Sequence, residues 1–177
     1  HSYEMRPKIK TDAHQTGYLS ELVCSNSFRS DDSVYNAVGL LHEELRLSNS
    51  LIMEAADKNK VPAGSALAVD RDMFSKYIDT KIKSNKYIKV INKEITSLKI
   101  FNDDIVVIAT GPLTTKKLST EIEKITSKKS LDFFDAIAPI VYYESIDMNI
   151  AWKQSRYDKG DGDDYINCPL TKFEYFK

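Results

Sequence analysis

The run DIVVIATG, Asp104 to Gly111, restricts the possible folds more than any other stretch of this sequence. It is β-branched almost throughout, has no polar alternation and closes on Thr-Gly. Half-buried strands alternate polar and apolar residues, whereas a continuous run suits a strand covered on both faces, as in a parallel sheet flanked by helices. The surrounding spacings agree. Val34, Val38, Leu41, Leu45, Ile52 and Ala55 recur at helical intervals, with Asp31, Asp32 or Ser33 available as N-cap and Pro62 and Gly64 marking the end. A second helix is predicted from about Asp72 to Ser84, with Phe74, Ile78 and Ile82 on one face. Ile88, Val90, Ile95 and Leu98 alternate as in a strand, interrupted by Ile91, and Leu118, Ile122 and Ile125 return to helical spacing. DFFDAIAPIVYY, Asp132 to Tyr143, reads as extended, and the remainder as a short helix, a polar loop and the second cysteine. Alternating helices and strands predict an α/β fold.

Charge excludes little. The 25 Lys and Arg oppose 26 Asp and Glu, a formal net charge of −1, so no overall field favours nucleic acid. Lysines nevertheless concentrate in KYIDTKIKSNKYIKVINK and TKKLSTEIEKITSKKS. Such stretches read either as solvated helix faces or as phosphate contacts. No apolar run reaches the ~18 residues needed to span a bilayer, and no signal-peptide core opens the chain. A cytoplasmic protein with reduced thiols and no membrane contact is expected.

Few residues invite chemistry. Glu4 ends an opening strand, where dinucleotide-binding folds place a ribose-binding carboxylate, although taken alone an isolated Glu reads first as a surface carboxylate. The small-residue turn Ala109-Thr110-Gly111 allows backbone to approach a nucleotide closely, or simply ends a strand. Cys24, in LVCSNSFRS, is either a small buried hydrophobe or a thiol activated by Arg29; Cys168, in YINCPLT, lies between a polar loop and a proline. The two cysteines have no zinc-type spacing, and His1, His14 and His42 have no metal-ligand spacing, so no metal site is predicted. His42 is expected on the polar side of its helix, and His14 is a candidate acid–base group. DKGDGDD departs from the EF-hand pattern because Gly160 and Gly162 occupy alternate positions, leaving a solvated acidic turn.

Taken in order, the blocks YEMRP, ELVCSNS, VPAG, ALAVDR, ATGPLT, SRYDKG and NCP closely resemble the folate- and FAD-dependent tRNA uracil-5-methyltransferase family. The resemblance covers essentially the whole chain. It implies a partial Rossmann-type FAD-binding domain over residues 1–112 and the start of an inserted, tRNA-contacting α/β domain over 113–177. It also implies FAD, 5,10-methylenetetrahydrofolate as one-carbon donor and NADPH or NADH as reductant. In such enzymes the reduced flavin passes the carbon to C5 of the T-loop uridine at tRNA position 54. The family cysteines fall on Cys24, implied as the nucleophile on uracil C6, and Cys168, implied as a general base or assistant. Glu4 is implied as ligand of the FAD adenosine ribose, and Ala109, Thr110 and Gly111 as the close approach to FAD. Two departures stand out: TGYL at Thr16–Leu19 replaces a family TDKF, removing a lysine, and the turn before Cys168 is unusually acidic. The Gly-rich loop that belongs about 20 residues before Glu4 and the family sequence after Lys177 are missing. The chain is therefore expected to be an internal fragment that binds FAD weakly or not at all. The rival expectation is a non-catalytic RNA-binding or interaction module of the same fold, against which both retained cysteines argue.

Overall fold

The computed structural model describes residues 1–101, 105–127, 141–155 and 162–176. Along the chain come β1 (Ser2–Glu4), β2 (Ser27–Ser30), α1 (Ala37–Leu47), α2 (Leu51–Lys58), β3 (Lys60–Val61) and β4 (Ala66–Val69). They are followed by α3 (Arg71–Ser84), β5 (Val90–Asn92), α4 (Lys116–Thr126), β6 (Trp152–Lys153), β7 (Ile166–Asn167) and α5 (Lys172–Tyr175). The fold is thus mixed α/β. Two compact units interleave along the sequence: His1–Cys24 with Ser75–Ile137, and Ser25–Phe74 with Ala138–Lys177.

In the first unit β1 and β5 pair in parallel, with Ser2, Tyr3 and Glu4 opposite Val90, Ile91 and Asn92. The Lys93 N–H donates to the Glu4 carbonyl at 2.9 Å, carrying the ladder past both strand ends. A parallel pair requires a long crossover. Here that crossover includes α3, whose Ile78 is buried. Residues 8–24 form a long loop with no helix or strand of its own. Helix α4 starts where the Thr115 side chain accepts the Leu118 N–H; Leu118 is buried, while Ile125 is exposed.

The second unit is built on an antiparallel sheet in the order β2-β4-β3. Central β4, the ALAV segment, buries Leu67 and Val69 completely and packs against α2, whose Met53, Ala55 and Ala56 are buried. Phe28 reaches the Phe74 ring at 5.5 Å between centroids. Each such large side chain contributes about 1.5–3 kcal/mol by leaving water. The hairpin β6–β7 belongs to the same unit. The Tyr165 hydroxyl donates to the Ala63 carbonyl at 2.9 Å, and the Asp164 carboxylate accepts the Gly64 N–H. The VPAG turn, with Gly64 at φ 58°, therefore fixes the segment leading to Cys168.

Several expectations are corrected. The helix expected across Val34–Ala55 is two helices, separated by Ser48-Asn49-Ser50, where Asn49 adopts φ 55° and Ser50 caps α2. The cap of α1 is Asn36; Asp32 instead accepts the Val34 and Tyr35 N–H groups in a turn before the helix, leaving Val34 exposed. Helix α1 approaches that turn so closely that a Cβ on Gly39 would overlap the Asp32 backbone. His42 is not on the polar side. It is buried, with Nδ1 3.0 Å from Asp31 Oδ1, and Asp31 also accepts from Arg46 at 2.9 Å. In the described part of Asp104–Gly111 the expected strand is not formed: residues 105–110 have no regular structure and Ile105 is fully exposed. A doubly covered strand is held by neighbours on both edges, and no strand among the described residues pairs with this run. The alternation from Ile88 to Leu98 yields only the short β5, and Leu98 enters a 3₁₀ turn, Leu98–Phe101. Most of DFFDAIAPIVYY and the start of DKGDGDD lie outside the described residues.

Candidate functional site

Because β1 and β5 are parallel, their carboxyl ends fall on the same side. The segments leaving them, Glu4–Arg6 and Lys93–Ile95, line an open cleft of about 100 Å³ together with His14, Thr110, Thr115 and Leu118. Ligands of open α/β sheets bind outside the carboxyl ends of parallel strands. Pockets for drug-sized ligands measure ~300–1,000 Å³, so this cleft has room for part of such a ligand only. The N-cap residue of α4, Thr115, also lines it, adding a helix N-terminus, where negative charge is favoured.

The centre of the site is Arg6, which is 6% exposed. Its Nε and Nη2 donate to the two carboxylate oxygens of Glu4, both at 3.0 Å, and Nη1 donates to Glu21 at 2.9 Å. The Arg6 backbone N–H donates to Glu4 Oε1 as well, at 3.0 Å. A carboxylate offers about four acceptor sites. Oε1 of Glu4 already accepts twice and Oε2 once, so Oε2 keeps room for one further donor from the cleft, such as a ribose hydroxyl. Burial pushes the Glu4 carboxyl pKa up, but the Arg6 hydrogen bonds and charge outweigh it and hold the group below the ordinary Glu range. Burial likewise opposes the charge on Arg6, and Glu4 and Glu21 overcome it, raising the guanidinium pKa. Glu21 is lowered against its own burial by the Gln15 and Thr16 N–H groups, the Thr16 hydroxyl and Arg6. His14 is lowered, by burial first and then by the Arg6 charge, and its Nδ1 is 2.7 Å from the Thr11 hydroxyl oxygen. The Glu21 and Glu4 charges act the other way and only partly offset the lowering.

Of the expected cofactor ligands, Glu4 and Thr110 line this one cleft and Ala109 and Gly111 do not. Gly111 has φ 70°, yet a Cβ there meets nothing within 4 Å; conformation, not crowding, calls for glycine. The Thr110 hydroxyl is hydrogen-bonded to that of Thr114, which fixes the turn entering α4. Both cysteines are thiols: Cys24 is half-buried at the end of the loop in the first unit, and Cys168 is exposed just after β7 in the second. Arg6 and Glu21 escaped the sequence reading. Their only sequence trace is adjacency, Arg6 two residues after Glu4 and Glu21 three residues before Cys24. Among the described residues no group of His, Cys, Asp and Glu could hold a metal ion, and no helix is long and apolar enough to cross a membrane.

The family described as Glucose inhibited division protein A matches residues 4–177. Similar proteins include one from Bartonella henselae, 59% identical over 98% of this chain and 38% of its own length. Others are from Zymomonas mobilis, 55% identical over 98% and 38%, and Cereibacter sphaeroides, 54% identical over 98% and 39%. All three are named methylenetetrahydrofolate–tRNA-(uracil-5-)-methyltransferase TrmFO. The chain spans a little under two-fifths of the length of these curated relatives. On the match from Glu4 to the last residue, the chain belongs to the Glucose inhibited division protein A family.

Proposed function

We propose that this chain is part of a tRNA methyltransferase that makes 5-methyluridine at T-loop position 54, with 5,10-methylenetetrahydrofolate as carbon donor. The observation that carries the reading is the identity of 54–59% to proteins of that name along 98% of the chain. The cleft at the ends of β1 and β5 supports it, because Glu4 and Thr110, expected on other grounds as cofactor ligands, both line it. When bound, reduced FAD supplies electrons and transfers the one-carbon unit, with NADPH or NADH as the source of reducing equivalents. Glu4, through Oε2, would hold a hydroxyl of the FAD adenosine ribose, and the turn Ala109-Thr110-Gly111 would give the close approach to the cofactor, with Thr110 on the same cleft as Glu4.

The protein's own chemistry falls to the thiols. Cys24, as thiolate, adds to uracil C6, forming an S–C6 bond and moving an electron pair toward C5, which is otherwise a poor nucleophile. After C5 has bonded to the carbon unit, a base removes the C5 proton and the thiolate leaves, restoring the ring. Cys168 is assigned that base or an assisting role. The target uridine leaves its stack to reach the site, and lysines hold phosphates without reading sequence. Residues 1–112 are assigned to the FAD-binding part and 113–177 to the start of the inserted part, a functional division that the compact units cut differently. The location is cytoplasmic, where tRNA and folate are present. The test is transfer of labelled carbon from 5,10-methylenetetrahydrofolate to tRNA, by protein of the relatives' length carrying this sequence. Label at the T-loop uridine that depends on NADPH or NADH supports the reading; tRNA binding with no label supports a non-catalytic module instead.

A further inference from the structure

The geometry points to Glu21 as a positioning residue for Cys24, acting through a clamp that it shares with Arg6; the reaction it serves is the one proposed above. Glu21 does not itself touch the reacting atoms. Its Oε1 accepts the Gln15 N–H at 2.8 Å and the Thr16 N–H at 3.1 Å, while Oε2 accepts the Thr16 hydroxyl at 3.0 Å and Arg6 Nη1 at 2.9 Å. One carboxylate thereby fastens the middle of the loop 8–24 to the arginine that holds Glu4 in the cleft.

The residues just before Glu21 are fixed as firmly. The Leu19 N–H donates to the Asp79 carboxylate at 3.2 Å, and the Ser75 hydroxyl donates to the Ser20 carbonyl at 3.3 Å. Ser75 and Asp79 are both buried on α3. Ser20 has φ 57°, a conformation that a serine keeps only when its surroundings over-determine it. Residues 19–21 are thus held from three sides immediately before Cys24. A loop of this length, with no helix or strand of its own, needs such anchors to give a thiol one position.

Two substitutions separate the halves of the clamp, in protein of the relatives' length carrying this sequence. Glu21→Gln keeps an oxygen for the Gln15 and Thr16 N–H groups but turns an amide donor toward Arg6. Thr16→Val keeps the shape and removes the hydroxyl. The assay is single-turnover formation of the covalent adduct with tRNA carrying 5-fluorouridine at the target position. For both variants the adduct rate at saturating tRNA falls by about tenfold or more, approaching the ~10²-fold that a misplacement of about 1 Å costs, while tRNA affinity stays within about threefold. An unchanged rate in both variants overturns the assignment. So does a loss of tRNA affinity in step with the rate, which would make Glu21 a matter of general stability. If Glu21→Gln does not fold, Thr16→Val alone decides. If the unsubstituted protein forms no adduct, the methyltransferase reading falls. The clamp is then judged by alkylation of Cys24, mapped by mass spectrometry: faster alkylation in the variants upholds it and an unchanged rate overturns it.

Discussion

Replacing Arg6 by methionine removes the cation that Glu4 and Glu21 share. Breaking a buried ion pair from one side costs about 3–5 kcal/mol, because the remaining charge is left without compensation. The two carboxylates do not suffer equally. Glu21 keeps the Gln15 and Thr16 N–H groups and the Thr16 hydroxyl, whereas Glu4 keeps only one backbone N–H. Glu4 is also the more exposed, its side chain 18% accessible against 9% for Glu21, so water offsets part of its loss. These two facts set the expected cost of Arg6→Met near the lower end, about 3 kcal/mol. The loss of donors nevertheless makes Glu4 the stranded charge, since it keeps one N–H where Glu21 keeps two N–H groups and a hydroxyl. Adding Glu4→Gln to Arg6→Met should then restore at least about 1 kcal/mol, more than Glu21→Gln restores in the same background. pH gives an independent check. Both carboxyls are held below their ordinary values in the folded protein, so their contribution is present above the unfolded pKa of about 4.3 and is lost as pH falls through the folded values. The difference between Arg6→Met and the unsubstituted protein is therefore widest at pH 7 and narrows below about pH 4. Urea unfolding followed by circular dichroism at both pH values measures it. A cost below about 1 kcal/mol, or equal rescue by the two glutamine substitutions, refutes the reasoning.

Other expectations follow from single positions. Gly39→Ala forces a Cβ onto the Asp32 backbone and should destabilise by about 1–3 kcal/mol, seen as a lower Tm. Gly111→Ala meets no atom and should cost only the left-handed conformation, about 1–2 kcal/mol; a larger loss by urea unfolding would reveal a close approach to other groups. Burial raises the Asp31 pKa, but the Arg46 and His42 hydrogen bonds outweigh it and leave the group lowered. Its stabilisation is therefore lost as pH falls through the folded value, and Asp31→Asn should flatten the acid limb of a stability–pH curve. With iodoacetamide, exposed Cys168 should react before half-buried Cys24, as peptide mapping would report.

The elements legible in the sequence are those stabilised by their own spacing. Helix α3 begins and ends almost where Phe74, Ile78 and Ile82 place it, because one apolar face and a polar remainder need no distant information. The break between α1 and α2 was hidden because the apolar spacing runs on through Ser48-Asn49-Ser50; only capping chemistry, Ser50 and the left-handed Asn49, shows the stop. Residues 105–110 carry the composition of a buried strand without a described partner, since sheet pairing is a property of two segments and composition of one. His42 was misplaced because its partner, Asp31, lies before the helix, outside the periodicity from which the helix faces are read. Glu4 and Thr110, singled out by the motifs around them, both line the cleft. Arg6 and Glu21 gave no such signal, because they meet through a hydrogen-bond network across a loop with no periodicity.

The central claim is that Cys24 attacks the uracil. The most direct measurement is the covalent complex between tRNA carrying 5-fluorouridine at the target position and protein of the relatives' length carrying this sequence, tested beside Cys24→Ala and Cys168→Ala. The account predicts an adduct resistant to denaturing electrophoresis that Cys24→Ala abolishes and whose peptide maps to Cys24. An adduct that survives Cys24→Ala and disappears in Cys168→Ala would contradict it and move the nucleophile to Cys168.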